Sequence, residues 1–194
     1  FEQGDSIETA STWDVTIRND IARRLIQALG QQMFFLKRFH CDPHPGNFAF
    51  RENGSVIIYD FGGVKTLSTD IITHFKSLVN AARQQDIPRI EDELTALDAL
   101  AEKNKFPEDL YQQWLEVLLR PLTTPYDFAE NSAHHDGMKL VKKSFKYWDV
   151  FKPSPDTLMV NRTISGQYWN LIHLKVNDDL NDVFESLVPS EQLN

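Results

Sequence analysis

The sequence predicts a mainly α-helical domain that contains a small β-hairpin. Apolar residues recur every three to four positions over most of the chain, two short apolar stretches flank the Asn53-Gly54 turn dipeptide, and helical spacing resumes after residue 68. No repeat, low-complexity tract or linker divides the chain, so we expect one domain over residues 1–194.

The first long helix is predicted over residues 14–37, so that Lys37 belongs to it. Its apolar positions follow the spacing of one buried helical face: Ile17, Ile21, Leu25, Leu29, Met33 and Leu36. Pro43 and Pro45 cannot continue a helix, because proline lacks the backbone N–H. A hairpin of residues 48–50 and 55–59 follows.

Further helices are predicted from residue 68 onward. Ser68 is a candidate N-cap for a helix with an inward face of Ile71, Phe75, Leu78, Val79 and Ala82. Three helices are predicted to begin near Pro88, Pro107 and Asp156. A further helix, which ends at residues 153–155, is predicted to bury Met138, Val141, Phe145 and Trp148. A short last helix is predicted over residues 182–187.

Composition excludes several classes of protein. Lys and Arg number 20 and Asp and Glu 28, so the net charge is −8, which argues against a broad nucleic-acid surface. No apolar run approaches the roughly 18 residues of a membrane span. One cysteine, Cys41, cannot form an intrachain disulfide, which suits a reducing compartment. The chain starts without Met or a signal peptide, so we expect an excised piece of an intracellular protein.

Residues 40–47, His-Cys-Asp-Pro-His-Pro-Gly-Asn, and the later Asp60-Phe61-Gly62 hold the densest chemistry. Their order and spacing match the catalytic loop and metal-binding turn of protein kinases. Mg²⁺ prefers hard oxygen ligands, which the Asp60 carboxylate and the Asn47 amide oxygen can supply. Asp42 is suited to orient or deprotonate an attacking hydroxyl or water. A zinc site from His40, His44 and Asp42 is the alternative that ligand type leaves open.

Residues 40–47 resemble the His-Ala-Asp-Pro-His-Pro-Gly-Asn signature of the UbiB family, atypical kinase-like proteins of coenzyme Q biosynthesis that include the aarF-domain-containing kinases. Only Cys41 departs from the signature, replacing Ala. Residues 1–4 resemble the end of the hinge between kinase lobes, and residues 161–166 resemble the family's late Arg-x-x-x-Gly helix. The resemblance is specific at residues 40–62 and weak beyond about residue 85.

The resemblance implies the C-terminal lobe of a kinase-like fold. The hinge ends at residues 1–5, the catalytic loop and metal turn occupy residues 40–62, and a helical subdomain covers residues 68–194. The implied roles are a catalytic aspartate at Asp42, metal ligands at Asn47 and Asp60, a loop brace at His40, altered phosphate contacts at His44, and nucleotide-binding turn positions at Phe61 and Gly62. ATP and Mg²⁺ are the implied cofactors, in support of ubiquinone synthesis.

A nucleotide clamp is missing from this sequence. Kinases hold the phosphates with a Gly-rich loop and a Lys, but only Gly4, Gly30 and Lys37 precede the catalytic loop. We therefore expect an N-lobe to complete the site, with this fragment alone inactive. Only residues 63–67 separate the Asp-Phe-Gly from the next helix, which favours ATP hydrolysis or a small-molecule or lipid-linked acceptor over a protein substrate.

Two other functions stay open. A small-molecule kinase of the aminoglycoside and choline phosphotransferase type uses a similar pattern, although Pro43-His44-Pro45 favours UbiB. A pseudokinase scaffold would keep the fold without catalysis, but the retention of Asp42, Asn47 and Asp60 disfavours it.

Four further features have both a structural and a functional interpretation. Lys139, Lys142, Lys143 and Lys146 form a solvated face over a core stripe or a surface for anionic lipid, the latter suiting a peripheral protein that meets a quinone precursor at a membrane, mitochondrial in a eukaryote. Arg162 is expected to pair with a buried acid. Cys41 is expected to pack as an apolar residue rather than to act as a redox switch. His134 and His135 are expected in a surface loop or helix start, with adjacent rather than facing side chains that do not bind a metal.

Overall fold

The computed structural model describes residues 2–122, 125–130, 133–152 and 154–191. Its α-helices are α1 (Ile7–Ala10), α2 (Val15–Phe34), α3 (Thr69–Gln84), α4 (Ile87–Ala96), α5 (Glu108–Leu119), α6 (Ala133–Ser144), α7 (Pro155–His173) and α8 (Asn181–Leu187). Its strands are β1 (Arg38–His40), β2 (Phe48–Phe50), β3 (Val56–Ile58), β4 (Val64–Thr66), β5 (Tyr126–Asp127) and β6 (Asn177–Asp178). The predicted mainly α class is confirmed. The expected hinge residue Phe1 and the predicted helix terminator Pro153 lie outside the described residues.

Short antiparallel pairs, β1–β4, β2–β3 and β5–β6, supply the β-structure of the described residues. The pair β2–β3 is the predicted hairpin, with Phe48 opposite Ile58 and Gly54 at φ +80° in its turn. The pair β1–β4, which the sequence did not predict, sets His40 opposite Val64. Together the two pairs bring the ends of residues 40–47 and residues 59–63 to one place.

Helix α2 lies in the main core and buries Ile21, Leu25 and Met33, as its spacing predicts. The prediction that the helix runs to Lys37 is wrong, because it ends at Phe34 and leaves Leu36 exposed. The chain must turn after α2 so that β1 can pair with β4, and Lys37 makes this turn with a left-handed φ of 57°.

Helices α3, α4 and α5 form a second core beside the first. Ser68 caps α3 by accepting a hydrogen bond from the Ile71 N–H, and Pro88 and Pro107 lie at the starts of α4 and α5, as predicted. The predicted inward face of α3 is only half-buried, because its fully buried residues are Ile72, Asn80 and Ala81. At about 100° per residue, the fully buried residues lie on both flanks of the predicted face and opposite it, so α3 is covered from several sides.

Helix α6 contradicts its prediction most strongly. Its fully buried residues are Ala133 and Leu140, whereas the predicted core stripe of Met138, Val141, Phe145 and Trp148 is exposed. The helix ends at Ser144 rather than at residues 153–155, and a 3₁₀ helix (Phe145–Val150) follows it. His134 and His135 lie in the first turn of α6, as expected for a helix start, but their rings do approach one another, with centroids 3.9 Å apart.

Helix α7 packs between the main core and the catalytic loop. Ser154, not Asp156, occupies its N-cap position, and Asp156 instead forms an ion pair of 2.8 Å with Lys65 of β4. The short predicted last helix corresponds to α8. None of the helices in the described ranges combines the length and the apolar character that a membrane span requires.

Candidate active site

The loop of residues 41–47 is held between β1 and β2 by its backbone. The Cys41 N–H donates to the Gly63 carbonyl at 2.7 Å, and the Tyr59 N–H donates to the Asn47 carbonyl at 2.8 Å. Asp60 therefore lies one residue beyond the cross-strand partner of Asn47. The hairpin thus brings two predicted metal-ligating residues, 13 positions apart in the chain, into the same neighbourhood.

Asp42 and Asn47 are directly linked. The Asn47 amide Nδ2 donates to the Asp42 Oδ2 at 2.8 Å and to the Asp42 backbone carbonyl at 3.2 Å. Because the amide nitrogen makes both bonds, the Asn47 Oδ1 remains as the acceptor atom of the side chain. Asp42 is partly exposed, so this carboxylate and the Asn47 oxygen are both available to a ligand.

His40 joins the loop to the Asp-Phe-Gly turn. Its Nε2 lies 2.7 Å from the Asp60 backbone carbonyl, and since a carbonyl can only accept, the Nε2 carries the proton. The ring is buried and meets Phe48 and Phe61 edge-on, with centroids 6.3 and 6.0 Å away. This is the contact that a loop brace requires.

Asp60 adopts a left-handed backbone, with φ 51°. This conformation is uncommon outside glycine, and here the side chain supports it, because the Asp60 Oδ1 accepts the Gly62 N–H at 3.0 Å. This hydrogen bond engages the Oδ1 of the Asp60 carboxylate within the turn. Asp60, Phe61 and Gly62 are all exposed, so the turn opens to solvent.

One face of α7 holds the catalytic loop from the other side. Arg162 Nη2 lies 3.6 Å from the Asp42 Oδ1, and Asn170 Nδ2 donates to the Pro43 carbonyl at 3.1 Å. At Gly166 between them, a Cβ would lie 2.1 Å from the Pro43 Cγ, so only glycine allows this approach. Arg162, Gly166 and Asn170 follow one another at intervals of four residues, which places them on one face of α7.

Part of this contact is predictable from the Arg-x-x-x-Gly pattern of residues 162–166. Arg162 pairs with an acid as predicted, but that acid, Asp42, is only partly buried. Asn170 was missed, but its position one turn beyond Gly166 was a usable signal. Gln32, whose Oε1 accepts the His40 backbone N–H at 2.9 Å, carries no recognisable signal.

His44 does not join His40 and Asp42. It is exposed, and its Nδ1 accepts the Gly46 N–H at 3.0 Å, which caps the 3₁₀ helix (Pro45–Asn47). Among the described residues, no three His, Cys, Asp or Glu side chains converge as a metal-binding group, so the alternative zinc site is not formed. Cys41 is buried, and this burial raises the pKa of its thiol, as expected for a packed apolar residue.

Comparisons with known proteins agree with this geometry. Residues 2–94 match the ABC1 atypical kinase-like domain. Over 83 residues the chain is 35% identical to the chloroplastic protein Activity of bc1 complex kinase 7 of Arabidopsis thaliana, an alignment that covers 43% of this chain and 12% of that protein. Over 98 residues it is 31% identical to an uncharacterized protein of Synechocystis, covering 47% of this chain and 17% of the relative.

A solved structure extends the likeness over most of the chain. The Rv3197–erythromycin complex from Mycobacterium tuberculosis superimposes with a TM-score of 0.75 at 15% sequence identity, over 97% of this chain and 48% of that one. The chain thus spans under half of each of these proteins. The family resemblance predicted from residues 40–62 is confirmed for residues 2–94, and the kinase-like fold is shared beyond them.

Proposed function

We propose that this chain, whose residues 2–94 match an atypical kinase-like domain, carries the catalytic loop and Mg²⁺ site of an ATP-dependent kinase or ATPase of UbiB type. The observation that carries the proposal is the set of hydrogen bonds that the motif residues make with one another. His40 bonds the Asp60 carbonyl, Asn47 bonds Asp42, and the hairpin joins the two pairs. Motif residues that merely filled loops would not need these mutual contacts.

The available oxygen atoms fit a magnesium ion. Asn47 offers its Oδ1 and Asp60 its Oδ2, while their other polar atoms are engaged within the protein. Mg²⁺ accepts such hard oxygen ligands and keeps its remaining positions for phosphates and water. When bound, the ion would neutralise charge on the nucleotide phosphates, and Asp42 would orient the attacking hydroxyl or water.

The structure after Asp60 supports a small or lipid-linked acceptor, or water, over a protein substrate. Residues 64–66 form β4, which pairs with β1, and α3 begins at Thr69. This connection leaves little chain for a peptide-docking segment. A nucleotide bound at Asn47 and Asp60 still needs a clamp on its phosphates, and we propose that an N-lobe supplies it. Support of ubiquinone synthesis is the biological role we infer from the UbiB-like motif.

The test is the Asp60→Asn variant in a form of the protein that includes the proposed N-lobe. An amide lacks the negative charge that holds Mg²⁺, so we expect Mg²⁺-dependent ATP binding, measured by calorimetry, to be lost. The control is Asp70→Asn, which removes an exposed carboxylate from the first turn of α3 and should leave binding unchanged.

Two outcomes would contradict the proposal. Unchanged ATP binding by Asp60→Asn would remove the metal-ligand role and favour the scaffold alternative. Tight Mg²⁺–ATP binding by the 194-residue chain alone would show that the site needs no second lobe. A thermal melt of both variants separates a local loss of binding from unfolding.

A further inference from the structure

An exposed apolar surface runs along α6 and the 3₁₀ helix after it. Its members, which we call the α6 patch, are Met138, Val141, Phe145 and Trp148, with exposed fractions of 58, 47, 72 and 72%. On α6 itself, Met138 and Val141 lie about 60° apart around the helix, at about 100° per residue. Phe145 and Trp148 belong to the 3₁₀ helix, which is kinked at Tyr147, so they join the patch through their exposure and not through a shared helical phase.

The patch continues onto α7. His134 lies on the same side of α6 as Val141, two turns earlier, and its ring centroid is 5.3 Å from that of Trp169. Trp169 is itself 47% exposed. A Trp therefore stands at each end of the surface. Contiguous exposed apolar side chains of this size mark an interaction site more often than a free surface.

Positive charge borders the patch. Lys139, Lys142 and Lys143 occupy an adjacent arc of about 100° on α6. Lys146 follows in the 3₁₀ helix, and all four lysines are exposed. Their contacts are weak surface ones: Lys139 lies 3.1 Å from Asp136, Lys143 lies 2.9 Å from a Gln113 oxygen, and Lys146 lies over the Tyr147 ring.

The local charge opposes that of the whole molecule. Residues 133–150 contain four Lys against two acidic residues, Asp136 and Asp149, in a chain of net charge −8. An acidic protein partner would be attracted to the lysines alone, and a second copy of this acidic chain would be repelled overall. A surface with negative charge outside and an apolar interior would attract the lysines and also accept the apolar side chains of the patch.

We propose that the α6 patch docks this protein on the surface of an anionic lipid bilayer. Phe145 and Trp148 would enter the headgroup boundary, as the apolar face of an interfacial helix does, while the lysines meet the lipid phosphates. Helix α7 connects this surface to the site, since Trp169 contacts His134 and its neighbour Asn170 bonds Pro43. The inference rests on this surface alone, so it can fail while the nucleotide proposal stands.

Vesicle co-sedimentation of the 194-residue chain tests the proposal. We expect binding to vesicles of phosphatidylcholine mixed with phosphatidylglycerol, and much weaker binding to phosphatidylcholine alone or at high salt. Each lysine near an anionic surface contributes roughly fivefold to binding, so K142E/K146E should weaken binding by on the order of twentyfold or more. Phe145→Ser with Trp148→Ser should weaken it about tenfold or more, because the apolar anchor is lost.

Matched controls use exposed residues outside the patch. Leu36→Ser removes an apolar side chain that is 68% exposed, and Arg38→Glu reverses a charge on β1. Both should bind vesicles like the parent chain. Equal loss in the controls, binding that ignores lipid charge, or no binding to either vesicle would overturn the proposal. A concentration-dependent dimer that Trp148→Ser abolishes would assign the patch to a second copy instead.

Discussion

Helices α2 and α6 have the same kind of apolar spacing in sequence, but the protein covers only one of them. On α2, Ile21 and Leu25 are buried against β2, α7 and α8. On α6, the residues at the corresponding spacing, Met138 and Val141, face solvent. The comparison teaches that periodicity specifies a helix with two chemically different sides, whereas burial depends on what packs against the apolar side.

The two helices also differ in how their charged residues are used. Arg23 of α2 forms ion pairs with Asp178 of β6 at 2.7 Å and with Asp182 of α8 at 2.8 Å. On α6, Lys139 pairs within its own helix with Asp136. Helix α2 is therefore fixed by contacts with distant segments on both its apolar and its polar side. Helix α6 buries only Ala133 and Leu140 fully, and it leaves the α6 patch and its lysines at the surface.

The largest effect is expected from shortening a buried side chain of α2. Leu25 is 3% exposed, so Leu25→Ala leaves a cavity and should lower the free energy of unfolding by about 3 kcal/mol. The matched change on α6 is Phe145→Ala at a 72% exposed position, with an expected change within about 0.5 kcal/mol. Urea denaturation of both variants measures the difference. Similar losses in the two would mean that the α6 patch is covered.

The parts of the site that sequence predicted are those fixed by local chemistry. The Asn53-Gly54 dipeptide predicts the hairpin, and the pairing of Phe48 with Ile58 positions Asn47 relative to Asp60. The pairing of β1 with β4 was not predictable, since three-residue strands leave no detectable alternation. The exposure of α6 was not predictable either, because a side chain's burial depends on segments far away in the chain.

A medium effect is expected where α7 closes on the catalytic loop. Gly166→Ala would place a Cβ 2.1 Å from the Pro43 Cγ, and separating the two should destabilise the protein by about 2 kcal/mol. It should also shift the loop that carries Asp42. The control is Gly137→Ala on α6, where a Cβ meets nothing within 4 Å, and helix propensity should stabilise the protein by about 1 kcal/mol. Thermal melts of the pair should move in opposite directions.

The smallest effect concerns the ion pairs of α2 and depends on pH. Arg23 hydrogen-bonds the Asp182 carboxylate and so holds the pKa of that group below its ordinary value. A lowered pKa in the folded state means that the stabilisation is present above the unfolded pKa, near 3.9, and is lost as pH falls through the folded value.

We therefore expect Arg23→Gln to reduce stability by about 1 kcal/mol at pH 7, since Asp182 is largely exposed and the pair is screened. Urea titrations from pH 7 to about pH 2 should show this deficit shrinking below about pH 4, where the carboxylate loses its charge. The control, Lys139→Gln on α6, should lower stability by only about 0.3 kcal/mol, because it removes a pair within one exposed helix. An equal loss from both variants would show that the lysine side of α6 helps to hold the fold, and it would then be less free to meet another surface.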